Sequence, residues 1–190
     1  MATSHEFSPS WHVRPFWYTG FTYNATPGSR AAITTTITNG MALCLDPEAF
    51  DDRASLPSGM TLRGLGLTST GALGSSQNAR SVNVTRPATA ILGLFAGIVV
   101  GQPPGGRAGP QTLQLATAGE NIEALVQGNV AAYASTLVPV DGQFYLAPLT
   151  VSAGADILNV VGTSLFTENV ASAALRRIRV GGFNRHPVCP

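Results

Sequence analysis

The chain has 190 residues and a net charge of +1, which excludes a global electrostatic case for binding nucleic acid or a membrane surface. Only 11% of its residues are charged, and all eleven basic residues are arginines, whereas an ordinary soluble domain has about 25% charged residues. A GC-rich genome would explain the missing lysines but not the shortage of acids. Because protein interfaces are depleted in Lys, Glu and Asp and enriched in Arg, the composition favours a surface that is largely covered in the working state.

Targeting and cysteine signals point to a protein that is not exported. The first twenty residues lack the apolar core of a secretory signal. The longest apolar run, residues 88–100, is interrupted by Thr89 and two glycines and is shorter than the roughly 20 residues that a membrane span needs. Cys44 and Cys189 form no disulfide framework, so we expect reduced thiols.

Residues 1–30 differ in character from the rest of the chain. They combine seven aromatic residues with three prolines and follow neither a helical nor a strand period. We therefore expect an extended arm over residues 1–30, a β domain over 31–181 and a short C-terminal tail over 182–190. The arm either packs on its own domain or reaches a neighbouring subunit, and in the second case its rings contact the partner. These rings are Trp11, Phe16, Trp17, Tyr18, Phe21 and Tyr23.

From residue 31 onward the sequence has β character. Residues 33–45, ITTTITNGMALCL, predict a hairpin with a three-residue loop, Thr38-Asn39-Gly40, in which the glycine is left-handed. This loop puts most of the apolar side chains on one face, which is Ile33, Thr35, Ile37, Met41, Leu43 and Leu45. Residues 46–58 are polar and predict an excursion loop or short helix, and residues 59–80 predict a strand and a long loop.

Short strands at regular spacing fill the second half. Two are expected at residues 81–85 and 90–100, and six more at 112–116, 122–127, 132–140, 143–146, 157–161 and 173–180. Asp141-Gly142 predicts a tight type I′ turn within a hairpin. With no long amphipathic helix in the chain, this pattern predicts an all-β fold, a small barrel or sandwich.

The motifs that carry chemistry are missing. The three histidines, His5, His12 and His186, have no Cys, Asp or Glu at metal-ligand spacing other than the adjacent Glu6. No nucleophile elbow or phosphate-binding loop is present. The acids Asp46, Glu48, Asp51 and Asp52 lack the spacing of a calcium loop and predict a solvated loop, or one that pairs with a partner's arginine. The sequence therefore predicts no catalytic, cofactor or metal site.

One charged feature stands out, the segment ALRRIRV near the C-terminus. On a strand, Arg177 and Arg179 share a face with Leu175, while Arg176 lies on the face of Ile178 and Val180. The simpler interpretation is a polar outer face. The alternative is a docking stripe in which Arg177 and Arg179 pair with acidic residues of a partner.

Residues 91–180 resemble the head-decoration, or capsid cement, proteins of tailed bacteriophages. The resemblance is carried by a succession of short motifs along the chain. These are AGIVV at 96–100, TLQLATAGENIEALVQGNVAA at 112–132, the turn at Asp141-Gly142, VGTSL at 161–165 and AALRRIRV at 173–180. The segment TNGM at residues 38–41 is also similar to the N-terminal half of that family.

The resemblance implies a small β-barrel or β-tulip-like domain that binds the outside of the phage head. Its partner would be the major capsid protein, its oligomer a trimer, and its location the virion surface after assembly in the host cytoplasm. It implies no cofactor, no catalytic residue, and no direct contact with nucleic acid or membrane.

Other functions stay open from sequence. One is a minor head-fibre or tail protein, which would carry elongated repeats that this chain lacks. Another is a carbohydrate-binding β-sandwich that stacks sugars on Trp11, Trp17 and Tyr18, although such a platform needs a rigid sheet. An enzyme has the least support, because the motifs are missing.

Overall fold

The computed structural model of the protein describes residues 11–23, 30–46, 61–62, 67–68, 82–131, 135–149 and 160–181. The described strands, in chain order, are β1 (His12–Tyr18), β2 (Ala42–Leu45), β3 (Thr61–Leu62), β4 (Leu67–Thr68), β5 (Val82–Thr85), β6 (Phe95–Val100), β7 (Gln111–Val130), β8 (Thr136–Pro139), β9 (Leu146–Leu149), β10 (Gly162–Ser164) and β11 (Glu168–Val180). A 3-10 helix, Thr89–Leu94, precedes β6. The predicted all-β class is confirmed.

Nine of these strands form one mixed sheet that closes on itself twice. The order is β1-β5-β2-β6-β7-β11-β10-β8-β9, with further pairings of β1 with β7 and of β9 with β7. The pairing of β1 with β7 completes the first ring, which consists of β1, β5, β2, β6 and β7. The pairing of β9 with β7 completes the second ring, which consists of β7, β11, β10, β8 and β9. The two rings share β7. Closure removes exposed sheet edges, which is one way that β proteins avoid edge-to-edge aggregation. Among the described strands, β3 and β4 pair with each other and lie outside this sheet.

The long strand β7 supplies side chains to two cores. Its first half buries Leu113 and Leu115 in one cluster, which we call the first core. Its second half buries Ile122, Ala124 and Val126 in the other, the second core. Leu113 and Leu115 are odd-numbered, whereas Ala116, Ile122, Ala124 and Val126, which share the other cluster, are even-numbered. The pairing of β7 with β11 shifts register between Gly119 and Ile122, where Asn121 has a φ of 57°, a left-handed conformation that Asn adopts more readily than most residues. The strands predicted at 112–116 and 122–127 are two parts of one long strand.

The hairpin predicted at residues 33–45 is wrong in its pairing. β2 pairs with β5 and β6, while Ile37 forms an isolated bridge with Arg107. The turn itself explains the difference: Gly40 N donates to Val99 O at 2.8 Å, and Leu125 N donates to Gly40 O at 2.8 Å. Because β6 and β7 hold the turn, its two flanks diverge. The predicted face is otherwise largely internal, with Ile33, Ile37 and Leu43 buried and Thr35 exposed.

The hairpin predicted around Asp141-Gly142 is present, since β8 pairs antiparallel with β9. Its turn is not the predicted type I′, because that turn needs a positive φ at both central residues. Gly142 has a φ of 69°, whereas Asp141 is not among the residues with positive φ. Asp141 Oδ1 instead accepts a hydrogen bond from Thr89 N at 2.8 Å and ties the turn to the 3-10 helix.

The other predicted elements differ in their boundaries. The strand predicted at residues 90–100 begins only at Phe95, because the 3-10 helix occupies its first part. The strand at 173–180 begins earlier, at Glu168. The strand at 143–146 begins at Leu146, the end of its predicted range. Most of residues 46–60 and all of 182–190 lie outside the described residues. Among the helices of the described ranges, none has the length and apolar character to cross a membrane.

The predicted boundary between arm and domain at residue 30 is wrong for the described part of the arm. β1 lies within the sheet, parallel to β5 and antiparallel to β7. Phe16 and Tyr18 point into the first core and are 8% and 0% exposed. The prolines and aromatic residues of this segment show no strand periodicity, because β1 is stabilised by its two non-local neighbours and not by a local pattern.

Tyr18 is the most unusual member of this core. Its hydroxyl is buried and has no hydrogen-bond partner among the described residues. Burial raises the pKa of the Tyr18 phenol far above its ordinary value of 10.0, and the charge of Arg86 only partly opposes this rise.

We expect Tyr18→Phe to be neutral or to raise the free energy of unfolding by about 1 kcal/mol, because it removes an unsatisfied buried hydroxyl. The folded protein keeps a phenol proton that the unfolded chain releases above pH 10.0. Stability therefore falls as pH rises past that value, and the fall should be smaller in the variant. Urea unfolding at pH 8 and pH 10.5 measures both effects. A Tyr18→Phe protein several kcal/mol less stable would show that the hydroxyl is paired.

Candidate protein-binding site

β11 presents a mixed apolar and basic face to solvent. As predicted from strand alternation, Leu175, Arg177 and Arg179 are exposed, while Ile178 and Val180 point into the second core. The strand is held along its length by antiparallel pairing with β7, and its end also pairs with β10. The exposed side chains therefore start from a fixed backbone, which favours a binding surface of defined shape.

Most of the basic charge of this strand is balanced within the chain. Arg179 Nη2 lies 2.7 Å from Glu120 Oε1, and Arg176 forms an ion pair with Glu168. Arg177 lies opposite Glu123 in the register of β7 and β11 but forms no salt bridge with the described residues. The predicted docking stripe of Arg177 and Arg179 is thus reduced to one arginine whose guanidinium is open to a partner.

An open groove lies beside Arg177. We call it the β11 groove, and it is lined by Glu123, Phe166, Leu175, Arg176 and Arg177 around a volume of ≈ 320 Å³. Phe166 and Leu175 are 55% and 45% exposed, and they are two of the three large apolar side chains that are exposed in the described part of the chain. Their proximity to each other makes this an apolar patch with a cation at its side, as at the core of many protein interfaces.

The Asn39-Gly40 turn supports one wall of the β11 groove. Gly40 has a φ of +89°, and a Cβ atom built on it would lie 2.3 Å from Leu175 Cδ2. The side chain of Leu175 therefore lies directly over the glycine. The left-handed backbone favours glycine at this position, and the missing side chain leaves room for Leu175 to lie against the turn.

The aromatic residues predicted to contact a partner are mostly used inside the protein. Phe16 and Tyr18 are core residues, which overturns their assignment as contacts. Trp11 Nε1 donates to Glu120 O at 2.6 Å, and Trp11 packs against the second core. Trp17, Phe21 and Tyr23 are half-buried. Of these rings, Trp11 lies near the end of β11, since Glu120, which accepts its hydrogen bond, also pairs with Arg179.

Phe21 belongs to a buried polar cluster that sequence reasoning missed. Arg30 lies over the Phe21 ring at 5.9 Å from its centroid, donates from Nε to Thr22 O at 3.1 Å, and pairs with Asp46. The side chains of Arg30 and Asp46 are only 3% and 0% exposed. Thr19 Oγ1 also donates to Asp46 Oδ2, at 3.1 Å.

Asp46 therefore does not lie in a solvated acidic loop, as the sequence predicted, but in a buried ion pair with an arginine of its own chain. No local pattern marks Arg30 and Asp46 as partners, because 15 residues separate them in sequence. Such a pair needs both charges in place, since a single buried charge is strongly unfavourable.

The described residues show little that could hold a metal ion. Within them, no group of three or more His, Cys, Asp or Glu side chains is arranged to do so. His12 is exposed on β1, whereas His5, His186 and the acids Glu48, Asp51 and Asp52 lie outside the described residues. Cys44 is buried in β2 as a thiol, and Cys189 lies outside the described residues.

The sugar-stacking platform loses one of its three rings. Tyr18 is fully buried, so it cannot stack on a ligand beside Trp11 and Trp17. Trp17 lies within β1 and therefore has the rigid support that such a platform needs. Trp11 and Trp17, both half-buried, are six residues and about 20 Å apart along the extended chain, so they do not form one stacking surface.

Comparisons of the chain with protein-family models, with curated proteins and with solved structures gave no match.

Proposed function

We propose that this protein is a structural protein of a phage virion, a decoration or cement protein that binds the outer surface of the head. It acts by packing against the major capsid protein and strengthens contacts between neighbouring capsid subunits. The proposal rests on the sequence resemblance given above and is compatible with an all-β fold. It requires no chemistry at the surface, only an area that another protein covers.

The observation that carries the proposal is the exposed face of β11. Leu175 and Arg177 lie on a strand that the sheet holds in place, and Phe166, in the connection between β10 and β11, lines the same groove, in a chain with few charged residues. Large exposed apolar side chains beside an arginine are typical of the centre of a protein interface. The low overall charge supports the same conclusion, because a surface without lysine is poorly suited to permanent exposure.

The test is sedimentation with expanded heads that lack decoration protein, prepared from the phage that encodes the chain. We expect saturable binding at a ratio near one copy per capsid subunit. We also expect the double variant Leu175→Ser/Phe166→Ser to bind more weakly by a factor of ten or more, since each side chain buries apolar area worth about 1.5–3 kcal/mol. A matched control is Leu94→Ser, which removes the third exposed apolar side chain, away from the β11 groove.

Two results would contradict the proposal. The protein could stay in the supernatant at every concentration, or Leu94→Ser could weaken binding as much as the double variant does. Retention on a polysaccharide column, lost on substitution of Trp17, would favour the carbohydrate-binding alternative instead. Light scattering of the free protein tests the expected trimer separately.

A further inference from the structure

We propose that the β11 groove receives an extended segment of the partner protein in which a carboxylate stands two residues after an apolar side chain, on the same face of the segment. This inference rests on the proposed function only in taking the face of β11 as the place where a partner binds. It does not depend on which protein the partner is.

The charges of the β11 groove favour a carboxylate in the partner. Three of its five lining residues are charged, but two of them are already engaged: Arg176 pairs with Glu168, and Glu123 has an interaction of its own. Arg177 forms no salt bridge with the described residues. An arginine that is open to solvent beside an apolar patch is matched best by a carboxylate, which its guanidinium binds through two parallel hydrogen bonds.

The apolar walls of the β11 groove favour an apolar side chain in the partner. Phe166 and Leu175 are 55% and 45% exposed on either side of a volume of ≈ 320 Å³. That volume lies at the lower end of the range for small ligand sites, and the groove is open, so it fits one or two side chains rather than a whole ligand. Covering both walls with one apolar side chain removes their exposed area from water.

The distance between Leu175 and Arg177 sets how far apart the two side chains of the partner lie. Leu175 and Arg177 are two residues apart on one strand, so their side chains leave the same face about 7 Å apart. An apolar side chain next to Leu175 and a carboxylate next to Arg177 must therefore lie close together in the partner. Residues i and i+2 of an extended segment satisfy this distance, because their side chains leave the same face of the segment about 7 Å apart.

The experiment uses a short peptide on the intact protein. The probe is acetyl-Gly-Leu-Ser-Asp-Ser-Gly-amide, titrated into isotopically labelled protein and followed by two-dimensional NMR, which detects weak binding. Two matched peptides carry Asn in place of Asp, or Ser in place of Leu. We expect the amide signals of Phe166, Leu175 and Arg177 to shift with the Leu-Ser-Asp peptide, and a loss of affinity of about tenfold for each matched peptide, the equivalent of 1.4 kcal/mol.

Protein variants locate the carboxylate. Arg177→Gln should abolish the preference for Asp over Asn, whereas Arg179→Gln, on the same face of the same strand but paired with Glu120, should keep it. The inference is overturned if these amides do not shift, if Asp and Asn peptides bind equally to the unaltered protein, or if both variants lose the preference alike. The spectra themselves show that each variant is folded.

This test is separable from that of the proposed function. Heads that bind the protein while the peptide preference is absent would leave the cement function standing and remove the inference. A peptide preference that depends on Arg177, in a protein that does not bind heads, would do the reverse.

Discussion

Removal of residues 1–25 is expected to abolish folding of the protein, although the sequence predicted an extended arm over this part of the chain. The deletion takes away β1, which pairs with both β5 and β7 and closes the first ring of the sheet. It also removes Phe16 and Tyr18 from the core. Each large aromatic side chain lost from a core costs about 3–5 kcal/mol, and a domain is stable by only about 5–15 kcal/mol in total.

The control for this truncation removes residues 1–10 only, so that β1 and all its described pairings remain. We expect this shorter truncation to keep a cooperative urea transition and the far-UV circular dichroism of a β protein, whereas removal of residues 1–25 gives neither. If the longer truncation folded with an unchanged transition, β1 would be an accessory strand, and residues 1–30 would be an arm after all.

Loss of one partner of the buried Arg30–Asp46 pair should have the second largest effect. We expect Asp46→Asn, or Arg30→Met, to lower the free energy of unfolding by about 3–5 kcal/mol, because each leaves one charge in a site that excludes water. Arg30 Nη1 and Asp46 Oδ1 already lack hydrogen-bond partners among the described residues, so the remaining charge keeps little more than one hydrogen bond, from Thr19 to Asp46 or from Arg30 to Thr22. Guanidinium unfolding gives the difference directly.

The double variant Arg30→Met/Asp46→Leu separates charge from packing. Since apolar residues often replace a buried ion pair without loss, we expect the double variant to recover most of the stability that either single change removes. The matched control is the exposed pair Arg179–Glu120, whose side chains are 51% and 58% exposed. There Glu120→Gln should cost no more than about 1 kcal/mol. Equal losses at the two pairs would show that burial does not set their strength.

The buried pair also shows why the cluster around Phe21 is structural. It joins the chain after β1 to the end of β2, and Asp46 N donates to Asn83 O of β5 at 3.0 Å. Three segments far apart in sequence thus meet at one cluster, which fixes the end of the first ring. The surface left for a partner lies on the other ring, at β11.

The sequence by itself determined the fold class and the exposed face of β11. Both follow from local rules: turn residues at short intervals limit strand length, and alternation on a strand puts Leu175, Arg177 and Arg179 on one side. The positions of most strands and the two apolar halves of β7 were also readable, because side chains that face a core repeat with the period of the strand.

Only the tertiary structure decided which strands pair and which side chains are free. β1 is a strand because it pairs with β5 and β7. The flanks of the turn at Gly40 diverge because β6 and β7 hydrogen-bond to the turn. Asp46 pairs with Arg30 and is not exposed to solvent. The ion pairs of Arg176 with Glu168 and of Arg179 with Glu120, and the meeting of Phe166 and Leu175 in the lining of the β11 groove, arise in the same way. Each of these contacts joins residues that no repeating sequence pattern relates. They form only when the sheet closes and brings distant parts of the chain together, so the sequence pattern does not predict them.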